Sequence, residues 1–476
     1  MNPAASGVHR TGRSRAALLA LATGALAVPV TAGAAQWDFT PRVAAGQVWT
    51  DNVNLSPSDL EESEWITELR PGFALSTIGP RARVNLDYEA QALWFADNSD
   101  FNDVYHQLVG NSNVALVPDS LFLDAFARYD QQDVNIGGRT AYSNLFQTDN
   151  RTDFYVYGAS PYHIGRWGDW GESLVRYQYQ AVRYTNADEG VIPPEDTDTN
   201  AFSAELGSPA AARGFSWRAS GSYTLTEFDE ANEFEYARVA FDVGVPVGYR
   251  TRATAQVGQE SDIGEDPSAG GLDSSFWYVG ILWEPSDLQS LEARVGERFF
   301  GTAYELHWLR RGSRGEVGLD YTEEPTTSSG VLGADGAFVP GSRPGIGTLD
   351  NRVFLQKRLA AFATYELVRS SIEGRIYTDR REFQDVGGGT DSYYGIALSY
   401  DWNFRARTRL GARARWEQRD FQSDRRDDEG EFGVSITREL SRTLSGVLSF
   451  DHYLRNSDGS DDYRANMVSL FLEAQF

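Results

Sequence analysis

The chain has 476 residues, no cysteine and a formal net charge of −25. Without cysteine there is no disulfide framework and no thiolate metal site. The acidic excess, with Lys357 as the lone lysine, excludes nucleic acid as a partner, because phosphate binding needs a basic footprint.

The first 35 residues read as a cleaved signal peptide. Arg10, Arg13 and Arg15 form a positive n-region, Ala16 to Val30 an apolar h-region, and Thr31-Ala32-Gly33-Ala34-Ala35 a small-residue cleavage site, with Ala35 or Gln36 as the mature start. The competing reading is a membrane anchor, but the apolar run falls short of the ~20 residues a spanning helix needs. No later apolar run approaches that length. The aromatic content of 13% and the 46 glycines suit a large antiparallel sheet.

Residues 42–50 are the first expected strand, followed by 64–77, a Gly79-Pro80 turn and 81–96. In the third strand Val84, Leu86, Tyr88, Ala90, Ala92 and Trp94 alternate with Arg83, Asn85, Asp87, Glu89 and Gln91, the period of two that marks a strand. The pattern recurs at 104–117, 121–133, 147–161, 173–185, 198–207, 214–227, 233–245, 250–260, 275–284, 288–299, 302–310, 315–322, 351–367, 371–383, 392–403, 406–421, 429–440 and 443–456, and in the terminal strand from Tyr463. These are 22 candidates. The weak point is Phe299 to Ala303, where a connection nearly vanishes; misread strands there would lower the count to 20 or 18. No strand is expected to be broken at its centre by proline.

Pro/Gly turns follow the even-numbered strands, and longer, mostly acidic loops follow odd-numbered ones at 51–63, 186–197, 261–274, 324–350 and 455–462. That parity matches membrane barrels with short periplasmic turns and long extracellular loops. A soluble all-β protein would bury one sheet face on another. It would not account for the parity, or for Trp94, Trp283, Trp308 and Trp402 near strand ends, where barrels carry aromatic girdles. The expected fold is therefore all-β: one transmembrane antiparallel up-and-down β-barrel domain over residues 36–476, of about 22 strands (18–22). Loop 324–350 is either a mobile surface loop or a constriction folded into the lumen.

The terminal strand, with Val468, Leu470, Leu472, Ala474 and Phe476 on one face, resembles the last strand of bacterial outer-membrane barrels. That resemblance implies recognition by the barrel-assembly machinery through Leu470, Leu472 and Phe476, and contact with outer-membrane lipid and lipopolysaccharide. Val48-Trp49-Thr50-Asp51-Asn52-Val53, Leu69-Arg70-Pro71-Gly72, Leu86-Asp87-Tyr88, Asp119 to Ala125 and Asn351 to Leu359 together resemble the outer-membrane barrel family associated with the PEP-CTERM protein-sorting system. The resemblance spans essentially the whole mature chain and brings no functional residues. It implies a setting of exopolysaccharide loci in Gram-negative bacteria, with export or surface retention of polysaccharide or sorted proteins.

If the apolar faces meet lipid, the alternate faces line the interior. Arg407, Arg409, Arg413, Arg415 and Arg419 share one face with Glu417; Arg375 and Arg381 share another with Glu373 and Asp379; Arg294 and Arg298 share a third with Glu292. Such arginines either guide an acidic polysaccharide, their planar forks suiting carboxylate or phosphate, or pair with acids on neighbouring strands and stiffen the wall. Acidic loop residues, among them Asp51, Glu62, Asp188, Asp196, Asp262, Asp427, Asp428, Asp458 and Asp462, either bridge divalent cations to lipopolysaccharide or are simply solvated.

Four histidines remain for catalysis: His106, His163, His307 and His452. His452 cannot act with adjacent Asp451, because neighbouring strand residues face opposite ways. No Gly-x-Ser-x-Gly motif occurs, and no cofactor, metal ligand set or catalytic residue is assigned. The expected function is a porin-like conduit; the alternatives are a non-conducting scaffold and, distantly, a hydrolase at the outer rim. Oligomeric state is not encoded legibly.

Overall fold

The computed structural model describes residues 36–476 except 141–142, 189–193, 210–213, 230–232, 265–267, 269–270, 334–351, 385–387 and 460–461. The signal segment lies outside the described residues. The strands are β1 (Gln36–Thr50), β2 (Glu64–Ile78), β3 (Ala82–Phe95), β4 (Asp103–Val117), β5 (Leu121–Asp133), β6 (Arg151–Arg166), β7 (Glu172–Thr185), β8 (Thr197–Gly207), β9 (Ser216–Phe228), β10 (Phe234–Gly248) and β11 (Thr251–Glu260). Then follow β12 (Ser274–Ser286), β13 (Gln289–Arg298), β14 (Gly301–Arg311), β15 (Gly315–Thr327), a one-turn helix α1 (Ser328–Gly333), β16 (Val353–Glu366), β17 (Ser370–Phe383), β18 (Thr390–Arg405), β19 (Thr408–Asp420), β20 (Arg426–Glu439), β21 (Leu444–Ser457) and β22 (Tyr463–Gln475).

Every strand pairs antiparallel with its sequence neighbours. The sheet closes where β1 meets β22, in register from Arg42↔Gln475 to Thr50↔Met467. Closure leaves no sheet edge running round the molecule, as a lipid environment requires. The expected count of 22 holds. Phe299 and Phe300 form a two-residue outer connection, made possible by Gly301 at φ +103°, a conformation disfavoured for residues with a Cβ.

The alternation read from the sequence sets inside and outside. Val468, Leu470 and Leu472 point outward and are 38%, 59% and 53% exposed, while Met467 and Phe471 are buried on the lumen side. Trp94, Trp283, Trp308 and Trp402 lie on the outward register.

The strands differ from expectation in several places, and β1 begins at Gln36 rather than residue 42. β6 begins at Arg151 rather than residue 147, and β15 runs on to Thr327. Pro71 and Pro161 sit inside β2 and β6; both strands continue, but their ladders to β3 and β7 lapse at the proline and its preceding residue. Proline has no N–H to give a ladder, so the lapse is local rather than a break.

Candidate functional site

The lumen's outer half holds the largest apolar core. Val48, Ile66, Leu93, Phe95, Tyr453, Tyr463, Ala465, Met467 and Phe471 from β1–β3, β21 and β22 pack with Val53 and Leu55 of loop 51–63 and with Leu145 and Phe146 of loop 134–150. The Phe146 ring meets Tyr453 edge-on at 5.1 Å. Loop 134–150 leaves the wall between β5 and β6, yet its partners include residues of β1–β3 and β19–β22. It therefore folds inward across the lumen.

Polar groups fasten it there. Arg455 donates to the carbonyls of Gly138, Gly137 (3.2 Å) and Ile136 (3.4 Å), and to Asp427 at 2.7 Å. Arg419 bridges Glu417 (2.7 Å) and Glu429 (2.8 Å) and reaches the Ile136 carbonyl. Thr140 donates to Glu429 and its carbonyl accepts from Tyr463 at 3.0 Å. The charged residues of this anchor, Arg455, Asp427, Glu429 and Arg419, are buried. Glu417, also buried, accepts from Tyr377 and Arg415. The loop's own carbonyls thus take hydrogen bonds from buried guanidinium groups, which unpaired would cost several kcal/mol, although the Arg455 Nε stays without a partner.

Loop 324–350, the candidate constriction, is only partly described. Its first residues extend β15 and then form α1, whose Val331 and Leu332 are buried against Phe354 and Phe383 and against Phe154 and Val182 respectively. Gln180 of β7 donates to the Ser329 carbonyl at 3.4 Å. So α1 also bridges the lumen; residues 334–351 lie outside the described part.

The eight arginines singled out from the sequence all lie on inward register positions, in three environments. Arg298, Arg381 and Arg419 are buried in ion pairs with Glu260, Asp379 and Glu417. Arg294 sits among Glu292, Asp242 and Glu305, and Arg415 beside Glu417. Arg413 spans Glu431 and Asp451 yet stays 51% exposed, Arg375 is 3.9 Å from Glu373, and exposed Arg409 has no ion pair among the described residues. Asp320 and Glu373, also on inward register positions, are about half exposed. Below the inward loop the wall is therefore charged and wet.

The loop acids have structural partners that the sequence did not reveal. Asp51 accepts from the Asn466 backbone (2.7 Å) and side chain, Asp188 from Arg151 N–H (2.7 Å), Asp196 from Tyr184 N–H (2.9 Å), Asp458 from Arg426 N–H (3.1 Å) and Asp462 from Ser457 N–H (2.6 Å). They satisfy N–H groups at loop roots. Asp427 is no loop acid at all: it lies in β20, buried against Arg455. Among the described residues no three His, Asp or Glu side chains are arranged to hold a metal ion.

The histidines do not assemble a catalytic set. His106 faces outward and bonds Tyr88, and His452 faces outward to Asn466 while Asp451 faces the lumen. His307 faces the lumen 2.5 Å from Asp320, a cross-strand pair that sequence spacing did not disclose.

An even-numbered, closed antiparallel barrel with an apolar outer face, outward tryptophans near strand ends and a charged interior is a transmembrane β-barrel of the bacterial outer membrane. No family model and no curated protein matches the chain. Among solved structures it is similar to a variant of the ferric enterobactin receptor from Pseudomonas aeruginosa (12% identity, TM-score 0.48, covering 92% of this chain and 80% of that one). It is also similar to the siderophore receptor PirA from Acinetobacter baumannii (10%, 0.47, 92% and 80%) and the FrpB iron transporter from Neisseria meningitidis (8%, 0.49, 92% and 82%). The architecture given above rests on this chain's own strand pairing.

Proposed function

We propose that the protein is a gated, porin-like conduit of the outer membrane, with loop 134–150 as the gate. The observation that carries this reading is the contrast within the lumen: half-exposed charged side chains line it below, and loop 134–150, held by hydrogen bonds, folds across it at the outer end, with α1 bridging another part of the lumen. A barrel of this size is wide enough for an aqueous channel. Arg409 and Arg413, the exposed members of the arginine set, with half-buried Arg375, suit an acidic polysaccharide as the solute. The resemblance to PEP-CTERM-associated barrels favours the same class through its exopolysaccharide setting.

The test is single-channel conductance of the refolded barrel in a planar bilayer, with and without residues 136–147 replaced by a short glycine linker. The expected result is small or rare steps from the full chain and large steady steps from the shortened one, blocked by an acidic polysaccharide. Steps indifferent to the polymer would leave the pore and remove the solute. No steps from either protein, both shown folded by heat-shifted gel mobility, would replace the conduit with a non-conducting scaffold. The buried ion network beneath the loop is what favours that second reading.

A further inference from the structure

One side of the periplasmic rim carries a crescent of arginines. The short turns after β14, β16, β18 and β20 follow one another along it. In residues 309–316, 366–371, 401–409 and 438–443 nine arginines stand against four acids, Glu316, Glu366, Asp401 and Glu439, on a chain whose net charge is −25. All nine arginines are exposed. Among the described residues only Arg311 of this group has an ion pair, with Glu316 at 2.7 Å. The turns after β6, β10 and β12 mix the signs instead. Arg166 is followed by Asp169 and Glu172, and Arg250 is paired with Asp287 at 3.2 Å.

The crescent lies at the depth where the wall leaves the bilayer. Arg310 follows Trp308 on the outward face of β14, and Arg438 follows Ile436 on the outward face of β20. The turns set their cations beside exposed apolar residues. Leu367 and Val368 precede Arg369, and Leu440 lies between Arg438 and Arg442. Phe404 precedes Arg405, whose guanidinium carbon is 5.2 Å from the ring centroid. Trp308 and Trp402, at the inner ends of β14 and β18, mark the level of the girdle that meets the headgroups. An arginine at that level lays its stem along apolar surface and puts its head among the phosphates. A soluble polyanion would engage the guanidinium groups but leave Val368, Phe404 and Leu440 in water. A phospholipid accommodates both.

We infer that this crescent binds anionic phospholipid headgroups of the periplasmic leaflet. The apolar member of each turn enters the acyl layer, and the arginines beside it donate forked hydrogen bonds to the phosphates. The inference goes beyond the conduit and stands whether or not the lumen conducts.

The cysteine-free chain allows single labels. A bimane fluorophore is placed at Leu440→Cys, inside the crescent, and at Val247→Cys, exposed at the inner end of β10, as the control. Each refolded barrel, shown folded by heat-shifted gel mobility, is reconstituted in phosphatidylcholine vesicles. These carry a minor fraction of either phosphatidylglycerol or phosphatidylcholine brominated in its acyl chains. At 440 the brominated phosphatidylglycerol should quench more, corresponding to an enrichment of about fivefold, the weight of one arginine near an anionic surface. At 247 the two lipids should quench alike. Molar salt should remove the excess at 440, and so should Arg438→Gln combined with Arg442→Gln, with heat-shifted mobility retained. The same ratio at 440 and 247, or an excess at 440 that survives the two glutamines, would overturn the lipid site. Arginine-dependent binding of a soluble acidic polysaccharide in vesicles of pure phosphatidylcholine, without any phosphatidylglycerol excess, would also overturn it and give the crescent to a polymer.

Discussion

Two sides of the same barrel use a buried arginine to opposite ends. On the β19–β22 side, Arg455 takes carbonyls from a loop that has crossed the lumen from β5 and β6. On the β13–β15 side, Arg298 takes a carbonyl from β15, across a seam that the backbone leaves open. The alternation of the strands is the same in both places. What differs is the outer connection: 17 residues between β5 and β6, two between β13 and β14. A long connection brings its own carbonyls to a buried guanidinium; a short one leaves the arginine to stitch the wall. Charge type alone therefore does not say whether an arginine gates, stiffens or conducts.

The sharpest way to break the comparison is to remove each hub. Arg455→Ala removes the cation shared by Asp427 and Glu429, which keep Arg425 and Arg419, and leaves the loop carbonyls without their donor; it should cost about 1–3 kcal/mol. It should lower the temperature of the heat-shift transition and raise conductance together, because the same residue holds the loop. Arg298→Ala should destabilise by a similar amount without raising axial conductance. Equal conductance changes in both variants would erase the distinction.

A smaller change probes the gate alone. Thr140→Val removes the hydroxyl that Glu429 accepts from while keeping the side chain's shape, and should cost about 1–3 kcal/mol. More frequent openings with little change in step size are expected in single-channel records. Gly46→Val, of similar size, tests closure instead. A side chain there would meet the Phe471 ring and the Leu470 carbonyl across the β1–β22 ladder, an overpacking cost of about 1–3 kcal/mol. Its signature is a lower heat-shift temperature with unchanged gating.

The strands were legible because period two survives in any register: Val84 to Trp94 and Val468 to Phe476 show their lipid faces without knowledge of their neighbours. The short Phe299–Phe300 connection was legible as an anomaly, and it proved to be a real hairpin. The inward loop was not, because its anchors are the carbonyls of Ile136, Gly137 and Gly138, which no residue type advertises. The one signal was Leu145-Phe146, an apolar pair in a polar connection. The arginine ladder was legible as a set, but its division into buried and wet members was not. That division depends on which acids stand opposite: Asp427 opposite Arg419 and Glu429 opposite Arg455, against Asn403 and Thr437 flanking Arg409.

The smallest effect on stability should come from Arg409, and it isolates conduction from structure. Its guanidinium is exposed, lies towards the inner end of β19 and has no ion pair among the described residues. Nothing buried depends on it, so Arg409→Gln should change the heat-shift temperature by less than the ~0.5 kcal/mol equivalent of an ordinary surface substitution. A charge in a wet wall still acts on ions passing within about 8 Å at physiological salt. In the loop-shortened barrel, the reversal potential in a potassium chloride gradient should therefore move toward cation preference. Arg381→Gln, buried against Asp379 and Tyr393, should do the reverse: a large loss of stability with a smaller shift in selectivity per folded channel. If Arg409→Gln leaves the reversal potential unmoved, the wet arginines do not line the ion path, and the acidic-polymer reading of this lumen fails while the barrel and its gate stand.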